Sequence, residues 1–257
     1  MTNSADIFAS KTYTPSETLL QNRIVLVTGA GDGIGKVAAQ TYAEHGATVI
    51  LAGRTVPKLE AVYDQIIAAG HPEPSIYPID LAGATEQHYA ELADAIHCEF
   101  GKLDGLLHNA SVLGARRAVN DYLLTDWDAC MNVNIRSAFM MTKALLSELE
   151  KSEQGRVLFT TSGVGRVGKA HWGAYAASKF ATEGLMQVLA DELDGVSTTR
   201  VNAINPGATR TRMRATAYPA ENPKDVNAPE DLMWLYLYLM GADSQEVHGE
   251  SLNAGDR

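Results

Sequence analysis

Tyr175 and Lys179 stand four residues apart in GAYAASKFATEGL, and Ser162 precedes the tyrosine by thirteen residues, directly after the apolar run VLFTT. On a helix, residues four apart share a face, so the ammonium can sit beside the phenol or beside a ligand that the phenol touches. A free phenol titrates near ~10, and a neighbouring cation favours phenolate, which makes proton exchange with a substrate oxygen feasible near neutral pH. The same spacing also describes an ordinary surface pair on a helix. A hydride carrier held elsewhere in the chain would separate the two.

The elements that must position these groups are legible from Arg23 to Val201. Short β-branched runs (RIVLVT, TVILAG, SIYPID, LDGLLH, RVLFTT, TTRVNAIN) alternate with amphipathic stretches at Gly33 to His45, Pro57 to Ala69, Thr85 to Phe100, Asp126 to Glu150 and Gly173 to Leu193. That alternation predicts right-handed βαβ units and a single doubly wound α/β domain, its parallel sheet covered by helices on both faces. GESLNA predicts a seventh strand. Residues 1–20 read as an N-terminal arm and 21–257 as the domain. Residues 207–229, polar and rich in proline and arginine, read as a loop or lid.

TGAGDGIG, Thr28 to Gly35, follows the first predicted strand and opens the first helix. Glycines there let the backbone turn tightly and approach a pyrophosphate, whose charge the helix N-terminus attracts. The spacing is TGxxxGxG, formed by Gly29, Gly33 and Gly35, with Gly31 adding freedom; it departs from GxGxxG. At the end of the second strand, where NAD-preferring sheets place an acid for the ribose 2′-hydroxyl, stands Gly53, followed by Arg54. A missing carboxylate and an available guanidinium suit a 2′-phosphate, so NADP(H) is expected over NAD(H). Asp32, inside the glycine turn, works against that preference, and Arg54 could instead cap the next helix.

The chain has 257 residues, 46% of them hydrophobic and 20% charged, with a net charge of -10, and it contains no membrane-length apolar stretch. The acidic balance disfavours nucleic-acid or anionic-membrane partners. The N-terminus lacks a basic start and an apolar h-region, and Cys98 and Cys130 read as buried structural thiols, so a reducing cytoplasm is expected. His171 has no second ligand at metal spacing, so no metal site is expected.

Taken in order, TGxxxGIG, DL at Asp80 and Leu81, HNAS at His108 to Ser111, NVN at Asn132 to Asn134, Ser162, YAASK at Tyr175 to Lys179 and NPGATRT at Asn205 to Thr211 resemble the short-chain dehydrogenase/reductase superfamily over residues 20 to 255. Within it, LHNA, WGAYAASKFATEG and NPGATRTRMRA resemble the YciK-type bacterial oxidoreductases. The resemblance implies reversible hydride transfer between NADP(H) and a carbonyl or secondary alcohol. Tyr175 would be the general acid/base, with Lys179 lowering its pKa and bonding the nicotinamide ribose. Ser162 would bond the substrate oxygen, and Asn134 would join a water relay to Lys179. Gly29, Gly31, Asp32, Gly33, Ile34, Gly35 and Arg54 would line the cofactor, as would Pro206, Gly207 and Thr209. Asp80 and Leu81 would flank the adenine, Asn109 and Ala110 the ribose, and Thr211 the carboxamide. Ser111 departs from the pattern, since the family usually continues NA with glycine. Homodimers or homotetramers built on the two long helices are implied as well.

An NADP(H)-binding sensor or scaffold without turnover is the competing expectation, although such proteins commonly lose the tyrosine or lysine that this chain keeps. An epimerase or dehydratase of the extended type fits the turn spacing and the short C-terminal portion poorly. The substrate walls fall on residues 113–122, 163–172 and 211–218, which carry Arg116, Arg117, Arg166, Lys169, Arg212 and Arg214. Either these cations point to a substrate with a carboxylate, phosphate or acyl-carrier handle, or they are solvated or bind neighbouring subunits.

Overall fold

The computed structural model of the chain describes residues 13–255. Seven parallel strands form one sheet: β1 Ile24–Thr28, β2 Thr48–Gly53, β3 Ser75–Pro78, β4 Gly105–His108, β5 Arg156–Thr160, β6 Arg200–Asn205 and β7 Ser251–Asn253. Their order across the sheet is β3-β2-β1-β4-β5-β6-β7. The strands are apolar on both sides because both sides are covered. Val25, Val27, Leu107 and Leu158 join a core with helices α1 (Gly33–Glu44) and α2 (Val56–Ala68). The intervening Leu26, Leu106, Val157 and Phe159 join a second core with α3 (Glu86–Phe100). The order in which strands are added reverses between β1 and β4, which opens a crevice at the carboxyl ends of these strands.

The stretch expected as one helix from Asp126 to Glu150 is interrupted. It comprises α4 (Leu124–Met131), a π-helical turn (Asn132–Arg136) and α5 (Ser137–Glu150). The widened turn sets Asn134 inward, as such bulges often do beside functional sites. Helix α6 spans Gly173–Leu193, as the sequence pattern predicts. Residues 207–229, expected to be irregular, contain the short helix α7 (Arg212–Ala217). A further helix, α8 (Met233–Met240), escapes the pattern altogether. Its sequence MWLYLYLM is apolar all round because nearly every side chain is buried, so no amphipathic period marks it.

Residues 1–12 of the expected arm lie outside the described residues. From Tyr13 onward the chain packs on the domain: Tyr13 Oη donates to Asp243 Oδ2 at 2.6 Å, its ring meets Tyr238 edge-on at 5.3 Å, and Leu20 is fully buried. Cys130 is buried, but Cys98 is exposed on α3, contrary to the expectation of two buried thiols. Among the described residues no helix is long and apolar enough to cross a membrane, and no group of three His, Cys, Asp or Glu side chains could hold a metal.

Candidate active site

A cleft of about 610 Å³ runs across the carboxyl ends of the strands. Its walls include Gly29, Gly31, Asp32, Gly33, Ile34, Arg54, Asp80 and Leu81 on one side of the strand reversal, and Asn109, Ala110, Ser162, Tyr175, Lys179, Pro206, Gly207, Thr209 and Thr211 on the other. Two of the expected residues do not line it. Gly35 lies behind the turn, where an added Cβ would come within 2.4 Å of the Gly29 carbonyl. Asn134 sits in the layer beneath.

The glycine turn is built for close approach. Gly29 holds φ +69°, and a Cβ there would meet Ala110 Cα at 3.0 Å. Thr28, given no role above, fastens this region: its Oγ1 accepts from the N–H groups of Asn109 and Ala110 at 2.9 and 3.0 Å and donates to the Leu107 carbonyl at 3.2 Å. The leading threonine of TGxxxGIG was the available signal. Asp32 caps α1, accepting from Gly33 N–H at 2.8 Å. Its carboxylate also pairs with Lys58 Nζ, and that bond first, then the charge of the ammonium and the Gly33 N–H, holds it below the usual carboxylate range despite partial burial. Both side chains are half exposed, so the pair contributes little to stability and is readily exchanged.

Lys58 and Arg54 therefore border the same end of the cleft, one turn apart at the start of α2. Lys58 was missed, although GRTVPK places two cations after a strand that ends without an acid. Asp80 Oδ1 accepts from Ala82 N–H at 3.1 Å, which fixes the loop beyond β3.

At the opposite end Tyr175 is buried, and burial pushes its phenol up to about 12. Ser162 opposes this first, and the Ser111 hydroxyl does so to a smaller degree, so the balance in the cleft leaves the phenol above its ordinary value. The Lys179 ammonium, 5.6 Å from the phenol ring centre, instead donates to the Thr160 carbonyl at 2.8 Å, and burial lowers it to about 8. Asn134 has its amide committed: Oδ1 accepts from Val112 N–H at 2.8 Å, while Nδ2 donates to the Val112 carbonyl at 2.9 Å and to Ser178 Oγ at 3.0 Å. Ser178 donates in turn to the Tyr175 carbonyl at 2.8 Å. Asn134 therefore ties the loop after β4 to α6. Thr211, expected at a carboxamide, caps α7 by accepting from Arg214 N–H at 3.1 Å.

The substrate end is lined by Val112, Leu113, Trp172, Met213 and Ala217, with Arg212 and Arg214 beside them. Most of the cations anticipated there are committed to protein partners. Arg116 bonds the Ala217 carbonyl and stacks 4.9 Å over Trp172. Arg214 forks onto Glu221 at 2.6 and 2.5 Å and lies 3.9 Å over Tyr218. Lys169 donates to Tyr218 Oη at 3.1 Å, and Arg166 is shared among Glu183, Ser251 and Asn253.

Comparisons with known proteins agree with this architecture. The family model for short chain dehydrogenases matches residues 23–222. The chain is 50% identical over 242 residues to the oxidoreductase YciK of Escherichia coli strain K12, covering 94% of this chain and 95% of that protein. It is similar in structure to a short chain dehydrogenase from Shigella flexneri 2a crystallised with NADP (TM-score 0.90, 49% identity, 93% of this chain and 99% of the other). One from Escherichia coli CFT073 crystallised with NADPH is likewise similar (TM-score 0.91, 49% identity, 94% of this chain and 100% of the other). On its sheet order, its glycine turn and these matches over most of its length, the chain belongs to the short-chain dehydrogenase family of oxidoreductases.

Proposed function

We propose that this protein is an NADP(H)-dependent oxidoreductase that interconverts a carbonyl compound and its secondary alcohol, with Tyr175 giving or taking the proton at the reacting oxygen. The observation that carries it is the convergence of Tyr175, Ser162 and Lys179 on one cleft with the glycine turn and the Arg54–Lys58 pair. The nicotinamide of NADPH supplies a hydride when bound. The remaining work falls to the chain's own groups. N–H groups at the start of α1 face pyrophosphate oxygens, Arg54 and Lys58 receive the 2′-phosphate, and Asp80 with Leu81 borders the adenine. Ser162 donates to the substrate oxygen as negative charge builds there, and Tyr175, protonated across the neutral range, hands over its proton. Lys179, a cation at pH 7, approaches the nicotinamide ribose and favours the phenolate left behind.

The apolar side chains of the lining and the commitment of Arg116, Lys169 and Arg214 to protein partners suit an uncharged carbonyl substrate better than a carboxylate or phosphate; among the described residues, Arg212 alone of these wall cations lines the cleft with no hydrogen bond or ion pair from its side chain. Residues 207–229 serve as a lid, drawn onto the other walls through Tyr218, which three cations grip. The exposed Phe139, Phe180 and Val188 of α5 and α6 suit a subunit interface.

The test is to supply NADPH with a panel of neutral aldehydes and ketones and follow NADPH oxidation for the wild type and Tyr175→Phe. Turnover by the wild type alone, with equal NADPH affinity in both, is the expected result. Tight NADPH binding with no turnover on any member would favour a sensor or scaffold instead.

A further inference from the structure

Ser111 occupies the position where the family pattern has glycine, and its surroundings give that hydroxyl a task. It lines the cleft, yet Oγ is buried and has no hydrogen-bond partner. A buried hydroxyl left unpaired forfeits its hydration without replacement, so such a group in a well-bonded region calls for a partner that arises during function. The backbone on both sides of Ser111 is held firmly. Thr28 takes the N–H groups of Asn109 and Ala110, and Asn134 takes the N–H of Val112 while donating to its carbonyl. The same Asn134 reaches the Tyr175 backbone through Ser178. One network therefore fixes the serine and the tyrosine relative to each other, and it leaves the serine O–H free to rotate.

Ser111 and Tyr175 line the same cleft, Val112 next to the serine packs against the cluster that holds Tyr175, and the Ser111 hydroxyl favours the ionised phenol. We infer that Ser111 is a positioning residue for proton transfer, whose hydroxyl turns to donate to Tyr175 Oη once that oxygen has given up its proton. In the reductive direction the Oη–H bond breaks, the proton passes to the substrate oxygen and the electron pair stays on Oη. Ser162 and Ser111 then flank the anion, and Ser111 keeps its own proton throughout. A hydrogen bond to a charged oxygen is shorter and about twice as strong as a neutral one, which is why the contact tightens only in that state. The inference rests on Tyr175 being the proton-exchanging group.

The test is a pH titration of tyrosinate absorbance in protein saturated with NADP⁺. Subtracting the curve of Tyr175→Phe isolates the Tyr175 step. In Ser111→Ala that step should move to higher pH by about one unit, the size expected for one hydrogen bond to a charged group. Turnover at pH 7 should fall about 3- to 10-fold, NADP⁺ affinity should stay within about twofold, and Ser111→Thr should restore the midpoint. Ser111→Gly, which also lacks the hydroxyl, must behave as the alanine variant does, so that poor folding of one is not mistaken for the effect. Coincident Tyr175 steps in wild type and both hydroxyl-free variants overturn the inference and leave the acid/base role of Tyr175 intact. If Tyr175→Phe keeps wild-type turnover, that role itself fails and the inference falls with it.

Discussion

The two ends of the parallel sheet bury ionisable groups in opposite ways. At the amino ends of β1, β4 and β5, Arg156 is fully buried. It donates from Nε to the Gly241 carbonyl at 3.2 Å, from one terminal nitrogen to Gly155 O at 2.9 Å and from the other to Gln245 Oε1 at 3.0 Å. Asp104, beside it, accepts from Ile24 N–H, Ser152 Oγ and Lys102 Nζ at 2.9, 2.6 and 2.9 Å. Apart from Arg23 Nε and Thr199 Oγ1, this end is saturated. At the carboxyl ends Tyr175, Lys179 and the hydroxyl of the part-buried Ser111 are enclosed with bonding capacity to spare. Saturated burial makes a scaffold, whereas unsaturated burial keeps groups available for a ligand and sacrifices stability to do so.

The comparison can be broken most forcefully at Asp104. Asp104→Ala leaves its buried donors without an acceptor and should lower stability by about 3 kcal/mol in urea unfolding, with turnover per folded molecule unchanged. Burial raises the Asp104 carboxyl, but the Ser152, Ile24 and Lys102 bonds together bring it below its ordinary 3.8. That stability is therefore present above about pH 4 and is lost as pH falls further, a dependence that the alanine variant should lack.

Next in size, Arg54→Ala with Lys58→Ala should weaken NADPH binding by about 10- to 100-fold and leave NADH unaffected, read by fluorescence titration. Equal losses for both cofactors would place these cations away from the 2′-phosphate.

Matched aldehydes probe the substrate end. Para-tolualdehyde should show a kcat/KM about tenfold above that of para-carboxybenzaldehyde, because an apolar wall desolvates a carboxylate without replacing its hydration. A preference for the charged aldehyde would return the arginines to substrate recognition.

The smallest effect on stability is expected at Lys179, and in the direction opposite to that at Asp104. Lys179→Met should remove activity but raise stability at pH 7 by about 1 kcal/mol, since a buried ammonium bonded to one carbonyl is poorly compensated. With its folded value lowered from 10.5 to about 8, the unfolded chain binds more protons between these limits. Wild-type stability should therefore gain as pH rises from 8 toward 10, a rise that Lys179→Met should abolish.

Legibility followed the same division. TVILAG was readable as a strand because its apolar run is short and ends at Gly53, and α6 because the stretch from Gly173 to Leu193 is long and free of proline between two short apolar runs. Helix α8 was not, since a helix surrounded by core has no polar face to betray it. The π turn at Asn132–Arg136 was equally hidden, because one residue more per turn leaves no compositional trace. Arg116, Lys169 and Arg214 read either as substrate contacts or as solvated or subunit-binding groups, because sequence reports a charge but not its partner. Glu221, Tyr218 and the Ala217 carbonyl are close to them only after folding.

The sequence by itself determined the alternation of strands and helices, the glycine turn and the presence of tyrosine, serine and lysine in family order. These depend on periodicity and residue type, which are local properties. Tertiary structure alone decided how the buried groups are solvated. It turned Lys179 onto Thr160, raised rather than lowered the Tyr175 phenol, committed Asn134 to Val112 and left Ser111 without a partner. Burial and hydrogen-bond supply are set by segments far apart in the chain, and no spacing within one segment encodes them.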